Sequence, residues 1–170
     1  MPSESFVYLA FCWQNQCMVR TAAPLDDIAK AIIELLQADG RRSYADIGKA
    51  VGLSEAAARQ RVQRLTESGV VQIVGVTDPT QLGFTRQAMI GIRASGDATA
   101  LAKRISAIRE VDYVVLTAGS FDILAECVVE DDDALLELLH ARIRELDGVV
   151  GTETFVYLRL VKQRYDWGTR

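Results

Sequence analysis

The chain has 170 residues, of which 49% are hydrophobic and 25% charged, with a formal net charge of −4. That length suits one or two small domains, and that composition suits a globular protein with a real core rather than a disordered or membrane-embedded chain. The acidity (pI about 5.1) weighs mildly against nucleic-acid binding, and the charge distribution softens that. The excess is unevenly placed: residues 21–76 carry seven basic and seven acidic side chains, whereas residues 77–170 carry eleven and fifteen.

Residues 1–20 open with an acidic start followed by the apolar run Phe6–Trp13. The run is too short to span a bilayer and lacks the basic flank and cleavage site of a secretory signal. Residues 1–17 read as an extension ahead of the domain or as a tag, since Met18 stands just before an ordinary domain start. Cys12, Cys17 and Cys127 make neither a metal-ligand spacing nor a paired disulfide framework. A reducing cytoplasm and no membrane are therefore expected. Thr21–Pro24 reads as a linker, closing a first segment of residues 1–24.

Residues 25–69 read as three helices. Leu25–Asp39 has acidic residues at its start, suited to the helix dipole, and Ile28, Ile32, Leu35 and Leu36 on one face. Gly40 ends it, and Arg41 and Arg42 follow in a loop, either near phosphates or simply solvated. Ser43 and Asp46 form a capping box for the next helix, whose inner face is Tyr44, Ile47 and Val51. Gly52 breaks that helix and Ser54 caps the third, on which Ala58, Val62 and Leu65 share one side. Ala56, Arg59, Gln60, Gln63 and Arg64 fall on or near the other side. Arg and Gln make paired hydrogen bonds to guanine and adenine edges, and alanines at the helix start allow close approach to a base. Residues 43–65 thus read as a helix-turn-helix whose second helix reads the major groove of double-stranded DNA. An ordinary amphipathic helix pair with a solvated polar face is the competing reading. Arg61, nearer the apolar edge, is expected to pair with a carboxylate.

Residues 70–86 form a connection: Val70–Val76 is β-rich, a wing or a linking strand, and Asp78–Gly83 is turn-rich. Residues 87–170 alternate strand and helix patterns: strand Gln87–Ala94, helix Thr99–Glu110, strand Tyr113–Thr117, strand Ile123–Val129, helix Asp133–Leu146 and strand Val149–Val161. That order is the ferredoxin-like βαββαβ arrangement, an antiparallel sheet with both helices on one face. The fold class expected is α+β, an N-terminal helix-turn-helix (winged-helix-like) domain followed by this C-terminal domain. Tyr113–Thr117 and Phe155–Val161 place large apolar residues in both alternating sets. The helix-free face therefore needs a cover, and a second copy of the chain packed sheet to sheet is expected.

Four stretches resemble, in order, the Lrp/AsnC (feast/famine) family of prokaryotic transcription regulators: LDDIAKAIIELLQADGR, GLSEAAARQRVQRLTESGVV, TDPTQLGF and TAGSFDILAECVVEDDDAL. The resemblance implies dimers built through the linking strand and second domain, often assembled into octamers. It also implies an amino acid or similar metabolite bound by the second domain where dimers meet. The turn Gly119-Ser120-Phe121-Asp122 matches the family's glycine–aspartate motif. Gly119 permits close backbone approach and positive φ, turn N–H groups can hold a carboxylate, and Asp122 can answer an ammonium. Equally, both residues suit a plain β-turn. Thr117 and Thr152 stand behind them as candidates.

Enzymatic readings find little to stand on. The only histidine, His140, has no nucleophile partner at a readable spacing, and the acidic run Glu130–Asp133 is what a helix N-terminus attracts. No phosphate-binding glycine loop is present. The sirohaem decarboxylases share the Lrp/AsnC architecture but use histidines near the haem, a poor match to one histidine. No catalytic residue, cofactor or metal is assigned. The alternative to a DNA-reading regulator is a metabolite-binding module that no longer reads DNA.

Overall fold

The computed structural model describes residues 24–164, 166, 168 and 169. The readings for residues 1–23, including Phe6–Trp13, Cys12 and Cys17, lie outside the described residues. The chain divides into two compact units, Met1–Val74 with Arg164–Arg170, and Gly75–Gln163.

The first unit contains α1 (Asp27–Ala38), α2 (Tyr44–Val51) and α3 (Glu55–Glu67). Each starts on a side-chain cap that satisfies an otherwise orphaned N–H: Asp26 accepts from Ala29 N at 2.7 Å, Ser43 from Asp46 N at 3.1 Å and Ser54 from Ala57 N at 3.2 Å. In the Ser43–Asp46 pair the Ser43 hydroxyl donates to the Asp46 carboxylate at 2.6 Å. The core gathers Ala29, Ile32, Ile33 and Leu36 of α1, Ile47 of α2, and Ala58, Val62 and Leu65 of α3. Gly48 is buried where α2 meets the turn into α3, and a Cβ there would stand 2.6 Å from the Leu53 carbonyl oxygen. A side chain at 48 would push the two helices apart. One expectation fails: Tyr44 is exposed rather than part of the inner face, and the Arg59 guanidinium lies 4.9 Å from its ring centre. A phenol keeps its hydroxyl wet this way while its ring still finds a partner.

The second unit has the expected α+β architecture. After a 3₁₀ turn, Pro79–Leu82, come β1 (Arg86–Ala94), α4 (Ala98–Ile105), β2 (Val111–Leu116), β3 (Ile123–Val129), α5 (Asp132–Glu137, continuing as a π-helical turn over Leu138–Ile143) and β4 (Val149–Val156). The sheet is antiparallel with strand order β2-β3-β1-β4. Ala88, Ile90 and Ile92 of β1 and Ile123, Ala125, Cys127 and Val129 of β3 are buried together with Leu101, Ile105, Leu135, Leu138 and Ile143 of the helices. Their neighbours in sequence point to the other face: Met89, Gly91 and Arg93 on β1, Leu124, Glu126 and Val128 on β3, and, by register, Tyr113 and Phe155.

Four expected elements change. Val70–Val76 forms no strand, and its Val70, Ile73, Val74 and Val76 are exposed, because no neighbouring strand among the described residues offers it a hydrogen-bond ladder. The helix expected to reach Glu110 ends at Ile105, after which Ile108 and Val111 close tighter turns, each N–H bonding three residues back. The helix expected over Asp133–Leu146 leaves α geometry at Leu138. The last strand ends at Val156, not Val161, because β1, its only partner among the described residues, runs out: Tyr157 N bonds Gln87 O, and beyond it Leu158 is 96% and Val161 89% exposed. Among the described residues no helix is long and apolar enough to cross a membrane.

Candidate nucleic-acid interface and small-molecule site

On α3 the periodicity separates two chemistries. Ala58, Val62 and Leu65 are buried, while Ala56, Arg59, Gln60, Gln63 and Arg64 are exposed. Two of the outward side chains are held by neighbours one turn away: Arg59 Nη2 lies 3.3 Å from Glu55 Oε1, and Gln63 Nε2 donates to Glu67 Oε1 at 2.9 Å. Exposed i,i+4 pairs of this kind contribute only about 0.3–0.5 kcal/mol, so a base or phosphate can replace them at little cost. Ser54 uses its oxygen to accept from Ala57 N and keeps a hydroxyl proton that can donate to a phosphate.

Arg61 sits between these faces and ties the helices together. Its Nη1 donates to Asp26 Oδ2, while Asp26 Oδ1 caps α1. The Arg61 guanidinium, and then the Ala29 N–H, hold the Asp26 carboxyl below its usual pKa. The first turn of α1 is thereby fastened to the middle of α3. Arg41 and Arg42 are exposed on the loop before α2, where Asp39 accepts from both backbone N–H groups. With Lys49 they border an open depression that Asp39 and Asp46 also line, so its charge is mixed.

The second candidate region is the turn before β3. Its groups are engaged within the fold: Thr117 N bonds Asp122 O at 2.9 Å, Thr117 Oγ1 donates to Phe121 O at 2.5 Å, and Asp122 Oδ2 accepts from Ala94 N at 2.7 Å. Asp122 therefore clamps the turn to β1. Gly119 is exposed, does not adopt positive φ, and would have nothing within 4 Å of a Cβ, so the conformational reason expected for a glycine there is absent. Phe121 lies over Gly91, where a Cβ would stand 2.7 Å from the ring. It meets Phe155 edge-on at 6.2 Å, and the Arg93 guanidinium sits 5.7 Å from its centre. Ser120 is exposed at the tip.

Thr152 does not join this group. It pairs with Ile92, which points to the helices, so the sheet stands between Thr152 and Phe121. Its hydroxyl accepts from Arg144 Nε at 2.9 Å. Arg93 and Arg144 had no signal in the sequence beyond the strand alternation that turns Arg93 outward. On the helix-free face Gln87 Nε2 donates to Glu126 Oε1 at 2.8 Å. Burial, and then the Glu126 charge, push the Asp112 carboxyl up and the Tyr157 phenol up to about 12. Burial likewise raises the Cys127 thiol to about 11, leaving it a small hydrophobe. The acidic run before α5 is accounted for by structure: Asp131 caps the helix from Ala134 N at 2.8 Å, and Asp132 forms a two-pronged pair with Arg86. Among the described residues no group of three or more His, Cys, Asp or Glu side chains is placed to hold a metal ion.

Comparison with known proteins matches residues 25–66 to the AsnC-type helix-turn-helix domain and residues 87–167 to the Lrp/AsnC ligand binding domain. The chain is 33% identical over 141 residues to the HTH-type transcriptional regulator FL11 of Pyrococcus furiosus, covering 82% of this chain and 93% of that one. Among solved structures it is similar to the Mycobacterium tuberculosis leucine response regulatory protein, with 30% identity, TM-score 0.75, and 82% and 96% of the two chains covered. It is also similar to AsnC of Escherichia coli, with 25% identity, TM-score 0.75, and 84% and 98% covered.

Proposed function

Since the chain belongs to the Lrp/AsnC family of DNA-binding transcriptional regulators, we propose that α3 is its reading head and that Arg59, Gln60, Gln63 and Arg64 contact bases or phosphates, with Ser54 and Ala56 at the helix start. The observation that carries this is the row of exposed Arg and Gln side chains backed by the buried Ala58, Val62 and Leu65. Arg41 and Arg42 add phosphate contacts. The working form is a homodimer in the cytoplasm, able to assemble further to an octamer. The exposed apolar residues of Val70–Val76 and the helix-free sheet face support it, because each needs a partner that the described residues of one chain do not supply. Two recognition helices then enter successive major grooves of a roughly palindromic site, about 34 Å apart.

The second unit takes an amino acid or similar metabolite at the turn Gly119-Ser120-Phe121-Asp122, with Thr117 at its base. A similar solved protein is by name a leucine response regulator, which supports that ligand class. Thr152 lies across the sheet from this turn and is better placed for a separate task.

The test is fluorescence anisotropy of the full chain with DNA from upstream of its own gene against a scrambled duplex at physiological salt. Preference of about a thousandfold or more is the expected result for a specific reader. Equal weak binding that fades steeply with salt would reduce α3 to phosphate attraction at that site. Amino acids added to the same assay then identify the effector by the change in operator affinity.

A further inference from the structure

At the free edge of the sheet, a cleft of about 340 Å³ is lined by Arg93, Arg144 and the β4 residues Val149–Thr152. Among the described residues β4 is an edge strand, hydrogen-bonded only to β1. Tyr157 N turns inward to Gln87 O, and antiparallel alternation carries that pattern through Gly151, which pairs with Arg93. The Thr152 N–H therefore points away from the sheet, into the open edge.

Two guanidinium groups flank that edge. Arg144 is held in place by two bonds: its Nε donates to Thr152 Oγ1 at 2.9 Å, and its Nη1 lies 3.1 Å from His140 Nε2. Its Nη2 remains to donate outward. Arg93 lies flat against β4 because residue 151 is glycine; a Cβ there would stand 3.1 Å from Arg93 Nη2. Among the described residues neither arginine forms an ion pair with a carboxylate. The backbone departs from α geometry over Leu138–Ile143, the stretch that contains His140 and leads into Arg144, and π turns recur at functional sites.

From this geometry we infer a small-oxyanion site at the β4 edge, with Arg144 and Arg93 as charged donors and the Thr152 N–H as the neutral one. Its ligand is a planar or tetrahedral oxyanion, the carboxylate of a small metabolite or a phosphate. An arginine fixed by its own hydrogen bonds meets such a group with little ordering cost. Arg144 and the Thr152 side chain lie on the opposite side of the sheet from Phe121, while Arg93 reaches the edge from the Phe121 side; the oxyanion contacts themselves use no group of the turn.

His140 is the only histidine of the chain, so one imidazole signal reports on the site without ambiguity. The full protein, labelled with ¹³C at the histidine Cε1, is titrated with inorganic phosphate and separately with acetate, against chloride at constant pH and ionic strength. A saturable shift with phosphate alone assigns a phosphate site; one with acetate, alone or as well, assigns a carboxylate site. Arg144→Gln, checked for folding by circular dichroism, weakens the response about tenfold or more. Arg93→Gln serves in its place if that variant does not fold. Asp122→Asn leaves the titration unchanged, which separates this site from the turn. No saturable shift with either anion, or an unaltered midpoint in the folded arginine variant, overturns the inference.

Discussion

The helical unit buries apolar side chains from all three of its helices around one centre, with Ile32 and Ile47 fully enclosed. The sheet unit does this on one side only. Along β3 the residues alternate, Ile123, Ala125, Cys127 and Val129 fully covered, Leu124, Glu126 and Val128 half-covered. Three short helices satisfy one another within about fifty residues of chain. A sheet has two faces, and two helices cover one of them. The polar groups differ in parallel. Those on α3 face outward with weak local partners, whereas those at the turn before β3 are engaged in holding the turn together.

The largest effect that tests this contrast belongs to Ile90→Ala, which should destabilise the sheet unit by about 2–5 kcal/mol in urea denaturation followed by circular dichroism. Met89→Ala, the next residue along and on the helix-free face, should cost clearly less. Equal costs would mean that the open face is packed as tightly in solution as the covered one. Next comes Asp122→Ala, which orphans the Ala94 N–H and should cost about 1–3 kcal/mol of stability together with any amino-acid response. Asp122→Asn retains an acceptor for that N–H, so it should keep the stability and lose the response. If the response survives there, Asp122 only shapes the turn.

On α3 the expectation runs the other way, with function changing and stability not. Arg64→Ala should leave the melting temperature unaltered while weakening operator binding by about 1–3 kcal/mol, read by anisotropy. Unchanged affinity would remove Arg64 from the contact set. The smallest effect concerns the Asp26–Arg61 link. Because the Asp26 pKa is depressed in the folded chain, its contribution is fully present above the ordinary carboxylate pKa and is lost as pH falls through the lowered value. Asp26→Asn should therefore melt earlier than the parent at pH 7, and the gap should close in acid. Because Asn keeps the capping oxygen, a gap independent of pH would mean that the effect does not come from the Asp26 charge.

The same contrast explains what could be read from the chain beforehand. Ala58, Val62 and Leu65 were legible because helix period alone decides their side, and Ile123–Val129 because strand alternation does. The pairing of Arg61 followed from its place at the apolar margin. Val70–Val76 was legible as β-prone but finds no ladder among the described residues, and the end of β4 depends on where β1 begins, many residues earlier. Thr152 was grouped with the turn because sequence does not say which face a strand residue takes until the register is known. Arg144 was silent altogether. A regular helix was expected through that stretch, and the π turn that precedes Arg144 has no periodic signature.

The ring of Phe121 fills the space above Gly91, in the middle of the helix-free face. The turn that carries Phe121 is itself clamped by Asp122 to the end of β1. A dense contact of this kind does not deform gradually; it holds or it slips. Whatever displaces the turn lifts an aromatic ring from the sheet, and whatever presses on the sheet resists that lift. The contour of the open face at Gly91 is therefore set in part by the turn that carries Phe121.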